Sequence, residues 1–339
     1  MELKAKKYLN LTKRYATAQL EPTALFTRIL PTDRCYLNCA YCFQRENDSQ
    51  DMSWNCFVDV LDKAVQLKCG FVSLLGGEPM MWKHLNDAIT LCSERRLMTD
   101  MTTNGTKLDA ESIDKLGKAG LDYLNISMDT QDSFEVSRKN SLFSKDIVSE
   151  LKLAEKKYGM KIRMNSVICN NNFEDVKRLL ELSKESDIPI SLGFIVPEFD
   201  HEGSLEFYFT KDDTELLQEI VDYILAKKKE GYKIIDPDSY FSDVFKFING
   251  EDFWKCNYPT KYGWINVTPN GNLRTCTKKM GELPIAYTDL TPEKIKEYKE
   301  SLKEGVAQCN PYCYSNCAYD SAYYRDNKAA LIIDNFKKL

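Results

Sequence analysis

Between residues 25 and 198 short apolar runs and amphipathic segments alternate six times, and this order constrains the fold more than any other feature of the chain. Leu25–Leu30, Val72–Leu75, Leu97–Thr103, Tyr123–Met128, Lys161–Ile168 and Ile190–Val196 read as strands. The segments between them carry apolar residues at helical spacing, such as Phe57, Val60, Leu61, Ala64 and Leu67. Asp109 reads as the N-cap of one of these helices. Strand–helix–strand units force parallel pairing with crossover helices. About 175 residues is too few for an eight-unit barrel of ~250, so a six-strand partial barrel is expected, with its chemistry at the C-terminal ends of the strands. Beyond Pro197 the pattern changes. Asp212–Lys229 reads as a long amphipathic helix, Ser239–Ile248 as an aromatic-rich one and Thr291–Lys303 as a third. Trp264–Val267 and Leu273–Cys276 flank the turn Pro269-Asn270-Gly271 as a hairpin. The expected class is α/β, a partial (β/α)6 TIM-like barrel with a small C-terminal α+β domain. The expected divisions are 1–24 as an N-terminal extension, 25–200 as barrel, 201–250 as a helical connection and 251–339 as the C-terminal domain.

A formal charge of -5 gives no net basic field, so no nucleic-acid partner is expected. No apolar run approaches the ~18 residues of a membrane span, and the N-terminus lacks a signal-peptide core. A cytoplasmic location is therefore expected, where a reducing environment argues against a disulfide framework for the 12 cysteines. Cys56, Cys69, Cys92 and Cys169 are isolated and read as small packed residues. The other eight fall into two groups with ligand-like spacing.

The first group is Cys35-Tyr-Leu-Asn-Cys39-Ala-Tyr41-Cys42, in the loop after the first strand. A closed zinc site needs four ligands, and both histidines, His84 and His201, are distant in sequence. Three thiolates in one loop suit a [4Fe–4S] cluster with one iron left open. Gly76-Gly77-Glu78-Pro79 follows the second strand, where glycine permits close backbone approach to a ligand or simply makes a turn. With these motifs in these places the chain resembles the radical S-adenosylmethionine (radical SAM) superfamily, whose signature C-x3-C-x-aromatic-C it matches with Tyr41 at the aromatic position. The resemblance implies that Cys35, Cys39 and Cys42 hold the cluster and that S-adenosylmethionine, bound to the open iron, is cleaved to a 5′-deoxyadenosyl radical. It implies that Gly76, Gly77, Glu78 and Pro79 lie at the methionine amino group. Ser127 and Asp129 at the end of the fourth strand, Asn104 after the third and Asn165 in the fifth resemble cofactor-facing positions. Asp129 reads equally as a helix cap and Asn104 as a turn residue. Arg138 could pair with the cofactor carboxylate or be a solvated helix residue. Phe194, Ile195 and Val196 read as core or as adenine lining.

The second group is Cys256, Cys276, Cys309, Cys313 and Cys317. Fourteen residues separate Cys256 from Gly271, and four separate Gly271 from Cys276. This resembles the opening of the SPASM and twitch extensions of radical SAM enzymes, which bind auxiliary [4Fe–4S] clusters. Five cysteines imply a twitch-type domain with one cluster, giving two clusters in all; a zinc site is the rival. The expected ligands are Cys256, Cys276, Cys309 and Cys313. Cys317 is the expected spare thiol, either packed or donating a hydrogen atom to a substrate radical.

Superfamily members with such extensions modify ribosomal peptides, oxidise alcohols, epimerise sugars or attach the adenosyl group to lipids. About 24 residues precede the first strand, against the ~80-residue leader-recognition domain of many peptide-modifying members, so a small-molecule, sugar or lipid substrate is expected ahead of a peptide. The resemblance also implies a reducing partner such as flavodoxin or ferredoxin. A non-catalytic iron–sulfur carrier or redox sensor is the alternative of another class, and it leaves Gly76-Gly77-Glu78-Pro79 unexplained.

Overall fold

A computed structural model describes residues 2–18, 24–39, 41–42, 50–129, 145–195, 207–254, 256, 264–274, 276, 281–307 and 313–326. Six βα units follow one another as the sequence predicts. The strands are β1 (Phe26–Ile29), β2 (Phe71–Leu74), β3 (Met98–Thr103), β4 (Tyr123–Ser127), β5 (Lys161–Ile168) and β6 (Ile190–Phe194). An N-terminal helix, α1 (Glu2–Ala18), precedes them. Between and after the strands run α2 (Trp54–Gln66), α3 (Leu85–Glu94), α4 (Ala110–Ala119), α5 (Lys145–Tyr158) and α6 (Phe173–Ser186). Asp109 caps α4 in a reciprocal capping box with Ser112. The later part comprises α7 (Thr214–Lys229), α8 (Asp238–Ser242), α9 (Val244–Ile248), β7 (Trp264–Val267), β8 (Asn272–Arg274), β9 (Glu282–Ala286), α10 (Pro292–Ala307) and α11 (Asn316–Asp326).

All nine strands form one sheet in the order β6-β5-β4-β3-β2-β1-β7-β8-β9. The expected hairpin therefore does not stand apart. Its first strand, β7, pairs parallel with β1 from Phe26↔Trp264 to Ile29↔Val267, covering an edge that would otherwise expose unpaired backbone. β8 and β9 continue antiparallel.

Period-two alternation gives the sheet two different faces. One face carries Ile29, Val72, Leu74, Met101, Leu124, Ile126, Ile162, Met164, Leu192, Ile265 and Val267, all 3% exposed or less. Phe57, Val60 and Leu61 of α2, Leu116 of α4 and Leu179 and Leu180 of α6 belong to the same apolar core. The other, inner face carries Arg28, Ser73, Asp100, Asn125, Ser127, Arg163 and Asn165. Parallel strands buried on both faces are normally apolar throughout; here the inner face mixes these polar residues with Phe26, Phe71, Met98, Tyr123 and Trp264, the composition of a lined site rather than of a core.

The N-terminal extension proves to be a helix that closes one end of the partial barrel. Lys7 of α1 donates to the Gly120 carbonyl at 2.8 Å and to Asp122 Oδ2 at 2.7 Å. Asn10 donates to the Arg96 carbonyl, Lys4 donates to the Gly159 carbonyl, and Leu11 packs against Gly70. Those partners all lie just before β2, β3, β4 and β5, so α1 seals the end opposite the strand C-termini. Its pattern was hard to read because its inward face is built partly from lysine. Lys7 and Asp122 are 2% and 5% exposed, and Asp122 Oδ2 also accepts the Thr99 N–H.

The chain's last part reaches both edges of the partial barrel. In place of one aromatic helix, α8 and α9 meet at Asp243, whose carboxylate accepts the Tyr319 hydroxyl at 2.6 Å. Tyr240 and Tyr314, both fully buried, stack at 4.8 Å, and Phe247 stacks on Tyr314 at 5.2 Å. The Tyr240 hydroxyl accepts the Phe194 N–H at the end of β6. Asn316 at the start of α11 donates to Ser191 Oγ and fills the space beside Gly193, where a Cβ would lie 3.1 Å from its amide. One segment thus begins beside β1 and ends against β6.

Burying a charge without its partner costs far more than the pair contributes. Lys7→Met should lower the unfolding free energy by about 3–5 kcal/mol in urea titration, by stranding the Asp122 carboxylate. Lys7→Met combined with Asp122→Asn should recover part of that loss. A single variant as stable as the parent protein would contradict the closing role of the pair.

Candidate active site

The loop after β1 is fastened from three sides before it presents its cysteines. Leu30 N–H donates to the Val267 carbonyl at 2.9 Å, and Met52 N–H to that of Pro31 at 2.8 Å. Arg34 grips Asp51 with Nε at 2.9 Å from Oδ1 and Nη2 at 2.6 Å from Oδ2, the bidentate geometry that suits guanidinium and carboxylate. Arg34 Nη2 also reaches the Met81 carbonyl at 3.0 Å, and Thr32 Oγ1 donates to Asp51 Oδ1 at 2.6 Å.

The loop after β2 forms the third side. Gly77 N–H donates to the Thr32 carbonyl at 2.8 Å and Glu78 N–H to the Arg34 carbonyl at 2.7 Å. A Cβ at Gly77 would sit 2.2 Å from the Arg34 oxygen, and one at Gly76 would sit 2.4 Å from the Thr32 oxygen. Gly76 also has φ +118°, in the region that favours glycine. The sequence offers two reasons for these glycines, close approach to a ligand and a turn. In the structure they also let this loop lie against the chain's own cysteine-bearing loop.

Glu78 is 1% exposed and ties that loop to the end of β3. Its Oε1 accepts the Thr103 hydroxyl at 2.7 Å and the Met80 N–H at 3.0 Å, and its Oε2 accepts the Asn104 N–H at 2.7 Å. Pro79 opens the short turn Pro79–Met81 that Glu78 caps. Asn104 is thereby set with its Nδ2 3.5 Å from Cys35 Sγ, while its Oδ1 accepts the Thr106 N–H as in a turn. Asn104 therefore serves the turn and also reaches the first cysteine of the loop.

Cys39 is buried, and Cys35 and Cys42 are half-buried. Burial pushes the Cys35 thiol above its usual pKa, and the nearby charges of Glu78 and Cys39 push the same way; the Leu37 N–H and the Asn104 amide oppose them. Those two donors favour a thiolate, the form in which cysteine binds metal. Among the described residues no three His, Cys, Asp or Glu side chains gather as the ligands of one metal ion would. The donor chemistry, three thiols on one braced loop, fits an iron–sulfur cluster.

The other predicted positions divide. Tyr41 packs with Cys169, Ile195, Phe207 and Tyr208. Its hydroxyl donates to Asp129 Oδ2, and Asp129 Oδ1 accepts the Val167 N–H at 2.9 Å. Asp129 thus anchors the cysteine loop to β5, a use the sequence did not suggest. Ser127 and Asn165 lie side by side across β4 and β5, half-buried on the inner face. Asn172, unpredicted, donates to the carbonyls of Val167 and Asp129 at 2.8 and 3.3 Å. Arg138, Val196 and Cys309 lie outside the described residues.

Cys256, Cys276 and Cys313 are half-buried, and Cys317 is exposed at the start of α11. Trp254 and Phe253, just before Cys256, pack on Tyr314, just after Cys313, at 6.3 and 5.8 Å. Cys69, Cys92 and Cys169 are fully buried, as expected of packed cysteines, and burial lifts the Cys92 thiol to about 12. Cys56 is half-buried and faces the Gly271 turn.

The family model of the radical SAM superfamily matches residues 29–207. GTP 3′,8-cyclase from Clostridium botulinum is 32% identical over 271 residues, 74% of this chain and 80% of that protein. PqqA peptide cyclase from Granulibacter bethesdensis is 30% identical over 158 residues, 45% of this chain and only 42% of that protein. SuiB from Streptococcus suis, solved bound to S-adenosylmethionine, shares the fold with a TM-score of 0.60 at 18% identity, over 85% of this chain and 69% of that one.

The loop-to-loop contact makes a direct prediction. Gly77→Ala should force the cysteine loop away, lowering stability by about 1–3 kcal/mol and reducing the iron bound after anaerobic reconstitution. Parent-level iron content and thermal midpoint in this variant would show that the contact is dispensable.

Proposed function

The chain belongs to the radical SAM superfamily, and from that membership we propose that Cys35, Cys39 and Cys42 hold its [4Fe–4S] cluster and that it acts on a small polar substrate lying on the inner face of the sheet. It is a radical SAM enzyme, working with a [4Fe–4S] cluster and S-adenosylmethionine. When bound, these two supply a 5′-deoxyadenosyl radical that takes a hydrogen atom from, or adds to, the substrate. The protein's own contribution begins at Cys35, where the Leu37 N–H and the Asn104 amide stabilise the thiolate against the opposing effect of burial. Glu78 holds Asn104 in place for that task. Ser127 and Asn165 offer polar groups to the cofactor, while Gly76, Gly77, Glu78 and Pro79 hold the rim on which its methionine end would rest. Arg138 is retained as a candidate for the cofactor carboxylate.

The observation that carries the substrate reading is the polar inner face, from Arg28 to Asn165. Hydroxylated or charged small molecules match such a lining better than a lipid does. A peptide substrate is a second reading, favoured by the similarity to PqqA peptide cyclase.

For the C-terminal segment the proposal is an auxiliary [4Fe–4S] cluster on Cys256, Cys276, Cys309 and Cys313. The packing of Trp254 and Phe253 on Tyr314 supports it, because it draws together the stretches bearing Cys256 and Cys313. Cys317, exposed, is left as the thiol able to give a hydrogen atom to a substrate radical. On this division the domain boundary expected at residue 251 separates functions rather than sheets, since β7 belongs to the barrel's own sheet.

With dithionite and S-adenosylmethionine under anaerobic conditions, the protein should produce 5′-deoxyadenosine by chromatography. Replacing Cys35, Cys39 and Cys42 together with Ala should abolish it; retained cleavage would reject the assignment. Mössbauer spectra should report two [4Fe–4S] clusters in the parent protein, and one cluster plus stoichiometric zinc would overturn the auxiliary site. Cys317→Ala should keep both clusters, and loss of auxiliary iron in that variant would make Cys317 a ligand.

A further inference from the structure

We propose that Arg28 and Arg163, on either side of Asp100, form an oxyanion-recognition site on the inner face of the sheet, taking a carboxylate or phosphate group of the substrate. The inference rests on the reading of that face as the substrate chamber and assigns the chemical class of what enters it.

Each guanidinium is laid on an aromatic ring. Arg28 lies 3.5 Å from the centre of the Trp264 ring, and Arg163 lies 4.7 Å from that of Tyr123. Stacking fixes the plane of the group and leaves its N–H donors free around the edge, the arrangement that suits bidentate capture of an oxyanion. Neither group has a carboxylate within ion-pair distance or a hydrogen-bond acceptor among the described residues. Arg34 and Arg95, by contrast, are paired with Asp51 and Asp62. Arg28 is half-buried and so has given up part of its hydration, which an incoming anion would restore.

Asp100 stands between them on β3 without neutralising either. Its Oδ2 accepts the Asn125 amide at 2.9 Å, and its Oδ1 is buried with no hydrogen-bond partner. Burial pushes its carboxyl above the usual range, opposed by the Ser73 hydroxyl, by the Arg28 and Arg163 charges and by Asn125. An unsatisfied acceptor beside two unsatisfied cations specifies an occupant with an oxyanion and an adjacent hydroxyl or amine.

Aromatic rings border the site on the side of α1. Phe26 and Phe71 lie one layer nearer α1, their ring centres 5.8 Å apart, and Tyr123, in register with Asp100, has its ring centre 6.1 Å from that of Phe71. Arg163 is exposed, so the site opens to solvent on the β5 side. Ser127 and Asn165 lie nearer the strand C-termini, one layer beyond Arg163 and two beyond Asp100 and Tyr123, on the side of the cysteine loop. An occupant held here would therefore face the cofactor rather than displace it.

The test uses the cluster-loaded, full-length protein with inorganic phosphate and malonate as separate probes, glycerol as a neutral control and ionic strength matched with NaCl. A saturable rise in thermal midpoint is expected with at least one oxyanion and not with glycerol. Phosphate alone, malonate alone or both responding would assign the phosphate, the carboxylate or either. Arg163→Gln, at an exposed position that does not threaten the fold, should weaken the response roughly tenfold or more, and Arg28→Gln should do likewise. No rise with either probe, or an unchanged midpoint titration in Arg163→Gln, would overturn the site. If the parent protein binds the oxyanion but makes no 5′-deoxyadenosine, the enzymatic reading fails and the site stands.

Discussion

Two backbone hydrogen bonds, from Gly77 N–H to Thr32 and from Glu78 N–H to Arg34, join the loop after β2 to the loop after β1. The contact is possible only because neither glycine carries a Cβ. It sets the cysteine loop against the end of β2, where the other fastenings of that loop converge. The same few residues brace Arg34 against Asp51, bury the Glu78 carboxylate under Thr103 and Asn104, and aim Asn104 at Cys35. Charge-assisted bonds to a buried carboxylate are among the stronger polar interactions available, so the rim is held firmly beside the loop that carries the three thiols.

Around that rim, the two ends of the described chain cover the bottom and both edges of the six-strand sheet. The helix α1 closes the bottom through Lys7 and Asp122, β7 covers the free edge of β1, and α11 seats Asn316 against Ser191 and Gly193 of β6. The apolar face packs on the helices, which leaves the polar face free to line a chamber. Fold stability and site chemistry thus occupy opposite faces of the same strands, and a two-residue period separates them.

Much of this was legible in the sequence, because hydrophobic periodicity fixes strands and helices locally. β5, β7 and the Asp109 cap fall where the periodicity and capping signals put them. The cysteine spacing likewise carried the family. What escaped was non-local. Lysine on the inward face of α1 gives no amphipathic signal until its partner, 115 residues away in sequence, is known. The parallel pairing of β7 with β1 cannot be read from a hairpin signature, which specifies only the turn. Nothing in the local sequence marks Gly76 and Gly77 as the seat of a neighbouring loop, or Asp129 as the anchor of Tyr41. The division of the aromatic helix at Asp243, whose carboxylate accepts from Tyr319, is likewise non-local.

The central claim is that the three thiols of the β1 loop hold a cluster with one iron open to S-adenosylmethionine. The most direct test is the electron paramagnetic resonance spectrum of the dithionite-reduced protein with Cys256, Cys276, Cys309 and Cys313 replaced by Ala, recorded before and after adding S-adenosylmethionine. The account predicts a reduced [4Fe–4S] signal whose g-values change when S-adenosylmethionine is added. A cluster signal that is identical with and without it, or no cluster signal in a folded protein, would contradict the account.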